Sequence, residues 1–376
     1  MTRHFVLPAA IELPHCSAEP PDRTRVLSDT MASAPSEPES NQTSCNLMFV
    51  DDSAPGITRR RFGRGWAYYD AEGERIKDRA RITQLNAIAL PPAYVDAWFC
   101  PAADGHILAT GIDAKGRKQY RYHPDFRTER DGVKFDRVFD FGKALPLVRA
   151  RVAEDLATKG LGRERAVASV VRLLDLGTIR VGNESYAKSN RSFGATTLRT
   201  RHAKLSARML KLRFKAKAGK MREVTLTDRR LLAVVREMQD LPGQHLFQYL
   251  DGDGVAHAVT SGDVNAYLRE GMGGTFSAKD FRTFHGSVLA FQTLAQAKGR
   301  VPLKMLLEQV SERLGNTPAI ARKSYIHPAV IELVDHQLEW RAALRLPRKT
   351  RWASREERGL LALLENSPSA ADLLAA

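Results

Sequence analysis

Cysteine is scarce in this chain of 376 residues: Cys16, Cys45 and Cys100 are scattered, odd in number, and form no CxxC pair. That excludes a zinc ribbon and argues for a reducing compartment. Long apolar runs are missing too. Nowhere do 18 apolar residues follow one another, so no segment is expected to cross a membrane. Near the start, Phe5-Val6-Leu7 is cut short by Pro8, Glu12 and Pro14, which interrupts any secretory leader. The expected location is therefore the cytoplasm. There is no GxxxxGK[ST] phosphate loop, and no helical pattern carries paired histidines or a carboxylate cluster suited to Mg²⁺. The DGDG at 251–254 lacks the glutamate at the twelfth position of a calcium loop and reads as a hairpin turn. No metal and no cofactor are expected.

Acidic residues are absent from one long stretch. Between Arg199 and Arg222 stand ten Lys or Arg and no Asp or Glu. Over the whole chain 58 Lys and Arg face 43 Asp and Glu, a net charge of +15. Residues 1–55 hold three Arg against eight acids, so the remainder carries +20. A body that basic asks for a polyanion, and nucleic acid is the usual one. An anionic membrane surface fits less well, because no basic amphipathic helix with an aromatic face is present.

The texture of the sequence divides it. Residues 1–55, rich in Pro, Ser and acids (ASAPSEPESNQTS at 32–44), read as a disordered extension. Between about 56 and 126, aromatic and β-branched runs alternate with Asp-Gly, Glu-Gly and Lys-Gly turns, the pattern of a small antiparallel sheet with hairpins. Residues about 130–350 are mainly helical by periodicity. Val167, Val170, Val171 and Leu174 mark one helix, over by Gly182. Ser277 and Asp280 form a capping box opening another through Leu289, and a third should run from Pro328 to about Leu344. KLRFKAKAGKMREVTL (211–226) instead alternates: Leu212, Phe214 and Ala216 on one face, Lys211, Arg213, Lys215 and Lys217 on the other. With Ala218-Gly219 as its turn, it is a β-hairpin among helices. Residues 351–376 form a tail with a possible helix. The expected class is α+β.

Several residues could carry chemistry. The one-signed block from Arg199 through Lys215 and Lys220 suits a row of phosphates. In GRKQYRYH (116–123), Arg117 and Lys118 interleave with Tyr120 and Tyr122, which suits phosphates and base or sugar edges, although a cross-strand tyrosine pair in a hairpin would look the same. In LGNTPAIARKSYIHP, Thr317 is a good N-cap, Pro318 suits the first helical position, and the helix should end at Ile326-His327-Pro328 with Tyr325 near its end. A protein that transfers phosphoryl groups without metal or nucleotide must supply its own nucleophile and cations. A phenol and arginines can do so.

IRVGNESY, SFGATTLRTRH, FKAKAGK, KDFRTFHG and LGNTPAIARKSY, with the upstream TGIDAKGRKQYRYH, occur in that order and resemble the active site of type IB DNA topoisomerases, above all the small bacterial and poxvirus kind. The likeness spans roughly residues 59–344. It implies a catalytic set of Arg180, Lys217, Arg282, Asn316 and Tyr325, and makes Tyr186 and Lys279 further candidates for DNA contact. It also implies a 3′-phosphotyrosyl intermediate, a clamp around duplex DNA, no need for ATP, a monomer, and association with a bacterial nucleoid. One departure stands out: the poxvirus and eukaryotic pattern has His where this chain has Asn316. An amide donates a hydrogen bond but cannot titrate. A tyrosine recombinase also uses Arg, Lys, Arg and Tyr. Against it, Lys279 stands where His-x-x-Arg would be usual, and the N-terminal sheet replaces a helical core-binding domain. A non-catalytic architectural DNA-binding protein is the other alternative.

Overall fold

The computed structural model describes residues 47–375, and the extension read from residues 1–46 lies outside the described residues. Residues 47–55 do not belong to an extension. His106 donates its backbone N–H to Met48 at 2.9 Å, and the Trp98 indole donates to the Ala54 carbonyl at 2.9 Å. Both contacts tie this stretch to the sheet that follows.

That sheet is antiparallel throughout. β1 (Ile57–Phe62) and β2 (Gly65–Tyr69) form a hairpin; a helix, α1 (Arg79–Ala87), leads to β3 (Val95–Phe99), β4 (Ile107–Ile112) and β5 (Lys118–Tyr122), in the order β2-β1-β3-β4-β5. The β4–β5 turn forms because the Asp113 carboxylate accepts the N–H groups of Lys115 and Arg117, an Asx turn. Alternate residues bury Ile57, Tyr68, Phe99 and Ala109 against Leu85 of α1. Helix α1 leaves almost no trace in the sequence: Leu85 is its one buried side chain, and only the Asp78 N-cap marks its start.

The helical part opens at Pro124, directly after β5. α2 (Pro124–Asp155) and α3 (Arg163–Gly177) are the long supports, and α4 (Glu184–Asn190) follows. β6 (Ala203–Leu205) adds a third strand to the hairpin β7 (Leu210–Lys215) and β8 (Met221–Leu226). After α5 (Arg229–Gln239), strands β9 (Gln248–Leu250) and β10 (Ala256–Ala258) close over the turn at 251–254. Then come α6 (Ser261–Met272), α7 (Ala278–Gln296), α8 (Leu303–Leu314) and α9 (Pro318–Tyr325). The chain finishes with α10 (Pro328–Glu332), α11 (Gln337–Ala343), α12 (Arg355–Glu365) and α13 (Ala370–Ala375). Phe135, Phe141, Leu145, Leu173, Leu174, Phe281, Phe284 and Phe291 pack α2, α3 and α7 into one core. The architecture is α+β.

Two expectations about helices need correction. The 328–344 helix is two helices. The break is held by the buried Gln337 amide, which accepts from the Val301 N–H at 2.6 Å and donates to the Val301 and Val334 carbonyls. Helix α7 begins at its expected capping box, where the Asp280 carboxylate accepts the Ser277 N–H at 2.8 Å, but it runs on to Gln296. The final stretch, read as a tail with a possible helix, is helical in α12 and α13, and α13 packs so closely on α2 that a Cβ at Gly132 would lie 2.9 Å from Ala371.

Helix α12 is joined to the core by charge. The guanidinium of Arg149 (α2) forks onto Asp175 (α3) at 2.8 and 2.9 Å and onto Glu357 (α12) at 2.7 and 2.9 Å, and His285 (α7) also meets Asp175, at 2.9 Å. Burial opposes ionisation of Asp175, but Arg149 and then His285 outweigh it and hold its carboxyl well below the usual range. A buried pair of this kind is costly to break from one side. Asp175→Ala or Glu357→Ala should each lose about 3–5 kcal/mol in denaturant unfolding. Because the folded-state pKa of Asp175 is depressed, its contribution is full at neutral pH. It is lost as pH falls from the unfolded value, about 4, toward the folded one. An Asp175→Ala protein should therefore show less acid sensitivity than the wild type. Equal sensitivity would remove Asp175 from this account.

Candidate active site and DNA interface

The tyrosine helix α9 forms for reasons visible locally. Thr317 caps it by accepting the Ile320 N–H, Pro318 opens it, and Tyr325 is its last residue. What fixes Tyr325 is helix α7. A Cβ at Gly286 would stand 2.4 Å from the Tyr325 carbonyl oxygen, so only glycine lets the two backbones approach. Ser287 Oγ then accepts the His327 N–H at 2.9 Å. His327 itself is a cap: burial pushes its pKa down to about 4, and its Nδ1 accepts the Ala329 N–H.

Arg282 lies one helical turn before Gly286 and is 3% exposed. Its Nη1 donates to the Thr178 carbonyl and its Nη2 to the Leu314 carbonyl, the latter at 2.9 Å. The guanidinium carbon sits 4.9 Å from the centre of the Tyr325 ring. Burial lowers its pKa to about 10, against the favourable influence of Tyr325, so it remains a cation at neutral pH. Burial alone would raise the Tyr325 phenol. Arg282, Arg180 and Lys279 outweigh it, and the phenol lies below its ordinary value.

The helix marked by Val167 to Leu174 is bounded in the sequence by Gly182, which would put Arg180 near its end. Helix α3 ends earlier, at Gly177, because Thr178 adopts φ +51°, and Arg180 stands in the loop beyond it. The loop is pinned where the Ala195 N–H reaches the Arg180 carbonyl at 2.8 Å. The Arg180 side chain donates to Asn316 Oδ1 at 2.5 Å. Asn316 follows Gly315, whose φ of +64° ends α8, and its own N–H reaches back to the Ser311 carbonyl. Four residues distant in sequence thus converge: Arg180, Arg282, Asn316 and Tyr325. Two buried donors among them have no partner, Arg282 Nε and Asn316 Nδ2. Buried polar groups are nearly always paired, so orphaned donors beside two arginines mark a place for an acceptor-rich ligand.

None of the candidate lysines is hydrogen-bonded to this group. Lys217 lies in the exposed five-residue turn between β7 and β8, where Ala218 (φ +61°) reverses the chain. Lys215 precedes that turn and Lys220 is its last residue, both exposed, and Lys220 borders a cavity of about 240 Å³ shared with Arg180, Arg222 and Arg282. Lys279 is exposed on the first turn of α7. Lys134 of α2 carried no signal in the sequence. It points at α9, with its ammonium 3.5 Å from the Lys323 carbonyl and 3.2 Å from Asp131. Burial lowers its pKa.

The expected DNA contacts fare unevenly. Tyr186 on α4 is 52% exposed and free to meet a ligand. Tyr120 and Tyr122 are not a cross-strand pair: both lie on β5, two residues apart on one face, stacked with centroids 5.8 Å apart. Arg117 is paired with Asp113 at 2.6 Å and Lys118 with Asp52 at 2.7 Å, so phosphates would have to compete for them. Arg199 is held by Glu184 at 2.6 Å and by His245, which makes it a brace for α4 rather than an offered cation. Its partner Glu184 lies outside the acid-free stretch, fifteen residues upstream.

A cationic pocket with unpaired donors around a half-buried phenol defines a class of site, one suited to an anionic, acceptor-rich group such as a phosphate. Comparison with known proteins narrows it. Residues 123–340 match the family model of the eukaryotic DNA topoisomerase I catalytic core, and residues 65–113 that of the bacterial DNA topoisomerase IB N-terminal domain. The chain belongs to the type IB DNA topoisomerases, of the small bacterial and poxvirus-like kind. It is 29% identical over 299 residues to DNA topoisomerase 1B of Acanthamoeba polyphaga mimivirus, covering 76% of this chain and 89% of that protein. It is 23% identical to DNA topoisomerase 1B of Vaccinia virus (strain Copenhagen), covering 61% and 72%. A solved XerH site-specific recombinase overlaps 57% of this chain and 51% of its own at 16% identity, with a TM-score of only 0.31. The protein is an isomerase acting on DNA, and the recombinase and architectural readings fall away.

Proposed function

We propose that Tyr325 is the nucleophile of this topoisomerase and that Arg180, Arg282 and Asn316 hold the phosphate it attacks. The observation that supports this best is the pair of orphaned donors, Arg282 Nε and Asn316 Nδ2, beside a phenol whose pKa is drawn down by cations. The phenol gives its proton to solvent as its oxygen bonds to phosphorus, the bond from phosphorus to the 5′ oxygen breaks, and the departing oxygen takes a proton from Lys217, which solvent reprotonates. The product is a 3′-phosphotyrosyl link and a free 5′ hydroxyl. Swivelling of the freed strand relaxes supercoils, and the 5′ hydroxyl then attacks the same phosphorus and restores the phenol. Each step exchanges one phosphodiester for another, so no ATP is consumed.

The arginines stabilise the negative charge that grows on the non-bridging oxygens, where fixed donors act most strongly. Asn316 adds a neutral hydrogen bond there, and the role of proton donor falls to the lysine. The sheet with Tyr120 and Tyr122, and the helical part with Tyr186, Lys215, Lys220 and Lys279, close on the two sides of a duplex. The protein acts as a monomer in the cytoplasm, on nucleoid DNA.

This mechanism sets an expected result: supercoiled plasmid is relaxed in EDTA and without ATP. Activity abolished by chelator and restored by Mg²⁺ would overturn it. Stimulation by Mg²⁺ alone does not count, because the ion also acts on DNA and on product release.

A further inference from the structure

We infer that Arg222 is a positioning residue that locks the β7–β8 hairpin onto the end of α8, so that the turn lysine and Asn316 are set in place together. The inference rests on the catalytic reading above and extends it to a residue that reading does not use.

Strand pairing makes Arg222 an exception. It lies directly opposite Phe214 in the hairpin register, and residues opposite one another share a face. Phe214 is 2% exposed, so Arg222 points inward, whereas Lys215 is exposed on the outer face. An arginine turned toward the core needs partners. Its partners are the Glu312 carbonyl, at 2.9 Å from Nη1, and the Arg313 carbonyl, which accepts from Nη2. Both belong to the last turn of α8, where carbonyls lack the usual N–H partner four residues on (Glu312 accepts only a longer bond, 3.2 Å, from the capping Gly315) and the dipole is negative. The next carbonyl, Leu314, is taken by Arg282 at 2.9 Å. Gly315 and Asn316 follow at once. The end of α8 is therefore gripped from two directions, by Arg282 from α7 and by Arg222 from the hairpin. The lysines Lys217 and Lys220 stand five and two residues before Arg222 on the same β-unit. If the grip opens, the hairpin turn and Asn316 lose their common reference.

The planar fork of arginine matches two adjacent carbonyls, and lysine cannot reproduce that bridge. Arg222→Ala should slow single-turnover cleavage by about 10²-fold, the scale of an ångström-sized misplacement, while non-covalent DNA affinity, measured in a Tyr325→Phe background, stays close to the parent. Arg222→Lys should recover only part of the rate. In a double-mutant cycle, Arg222→Ala combined with Asn316→Ala should be slower than either single variant but by less than the product of the two defects, because with Asn316 gone Arg222 has only the lysine left to place. Loss of affinity with an unchanged cleavage rate would overturn the inference, as would defects that multiply in the cycle. Should Arg222→Ala not fold, Arg222→Lys with full cleavage rate would overturn it equally. These outcomes are separate from the identity of the nucleophile, which the site of the covalent adduct decides independently.

Discussion

Replacing Tyr325 by phenylalanine abolishes the covalent protein–DNA adduct and leaves duplex binding intact. Only an oxygen is removed. The ring keeps its place at the end of α9 and its 4.9 Å separation from the Arg282 guanidinium carbon. Relaxation should fall on the order of 10⁶-fold, the scale on which loss of a catalytic nucleophile acts. Neither Tyr267 nor Tyr249 is placed to substitute. Tyr267 is buried, its hydroxyl donates to Asp155 at 2.5 Å, and burial together with that carboxylate pushes its pKa up. Tyr249 stacks on His257 in the small β9–β10 hairpin. Gel separation of protein–DNA adducts, followed by peptide mapping, checks the result. An adduct that persists and maps to another tyrosine would sink the assignment.

The parts of this molecule that were legible in its sequence are those specified by neighbours. Thr317-Pro318 starts α9, Ser277 with Asp280 starts α7, and the alternation from Lys211 to Leu226 gives a hairpin with Ala218-Gly219 at its turn. Each signal acts across a few residues. The failures have the opposite character. Gln337 breaks a helix by pairing with Val301, 36 residues away. Arg149 joins α12 to the core over a separation of 208 residues, and nothing local to 351–376 announces it. Arg199 looked like a free cation because its local surroundings hold no acid, yet Glu184 neutralises it. Arg222 was counted in the same basic block. Its inward face follows from the register opposite Phe214, but its purpose lies at the end of α8, some 90 residues on. Charge counts report composition, whereas function depends on which charges fold back onto one another.

That distinction matters most for the general acid, since Lys215, Lys217 and Lys220 share one hairpin and none of them is held to Tyr325 by a hydrogen bond. The motif selects Lys217. Its turn is exposed and its side chain unpaired among the described residues, so it can swing into a groove once DNA is present. Lys220 is the rival, because it already borders the cavity shared with Arg180 and Arg282. An ammonium offers three protons and no acceptor, which suits a departing 5′ alkoxide. Lys217→Ala should therefore slow cleavage of ordinary DNA by roughly 10²–10⁴-fold, the usual contribution of general acid catalysis. With sulfur in place of the bridging 5′ oxygen, the leaving group needs little protonation, and the defect should largely vanish. Arg180→Ala should gain much less from sulfur, because its proposed work is on the non-bridging oxygens. Single-turnover cleavage rates on the two substrates decide the matter. If Lys217→Ala stays fully defective on the sulfur substrate while Lys220→Ala recovers, the proton comes from Lys220, and the cavity-lining lysine rather than the one in the exposed turn is the acid.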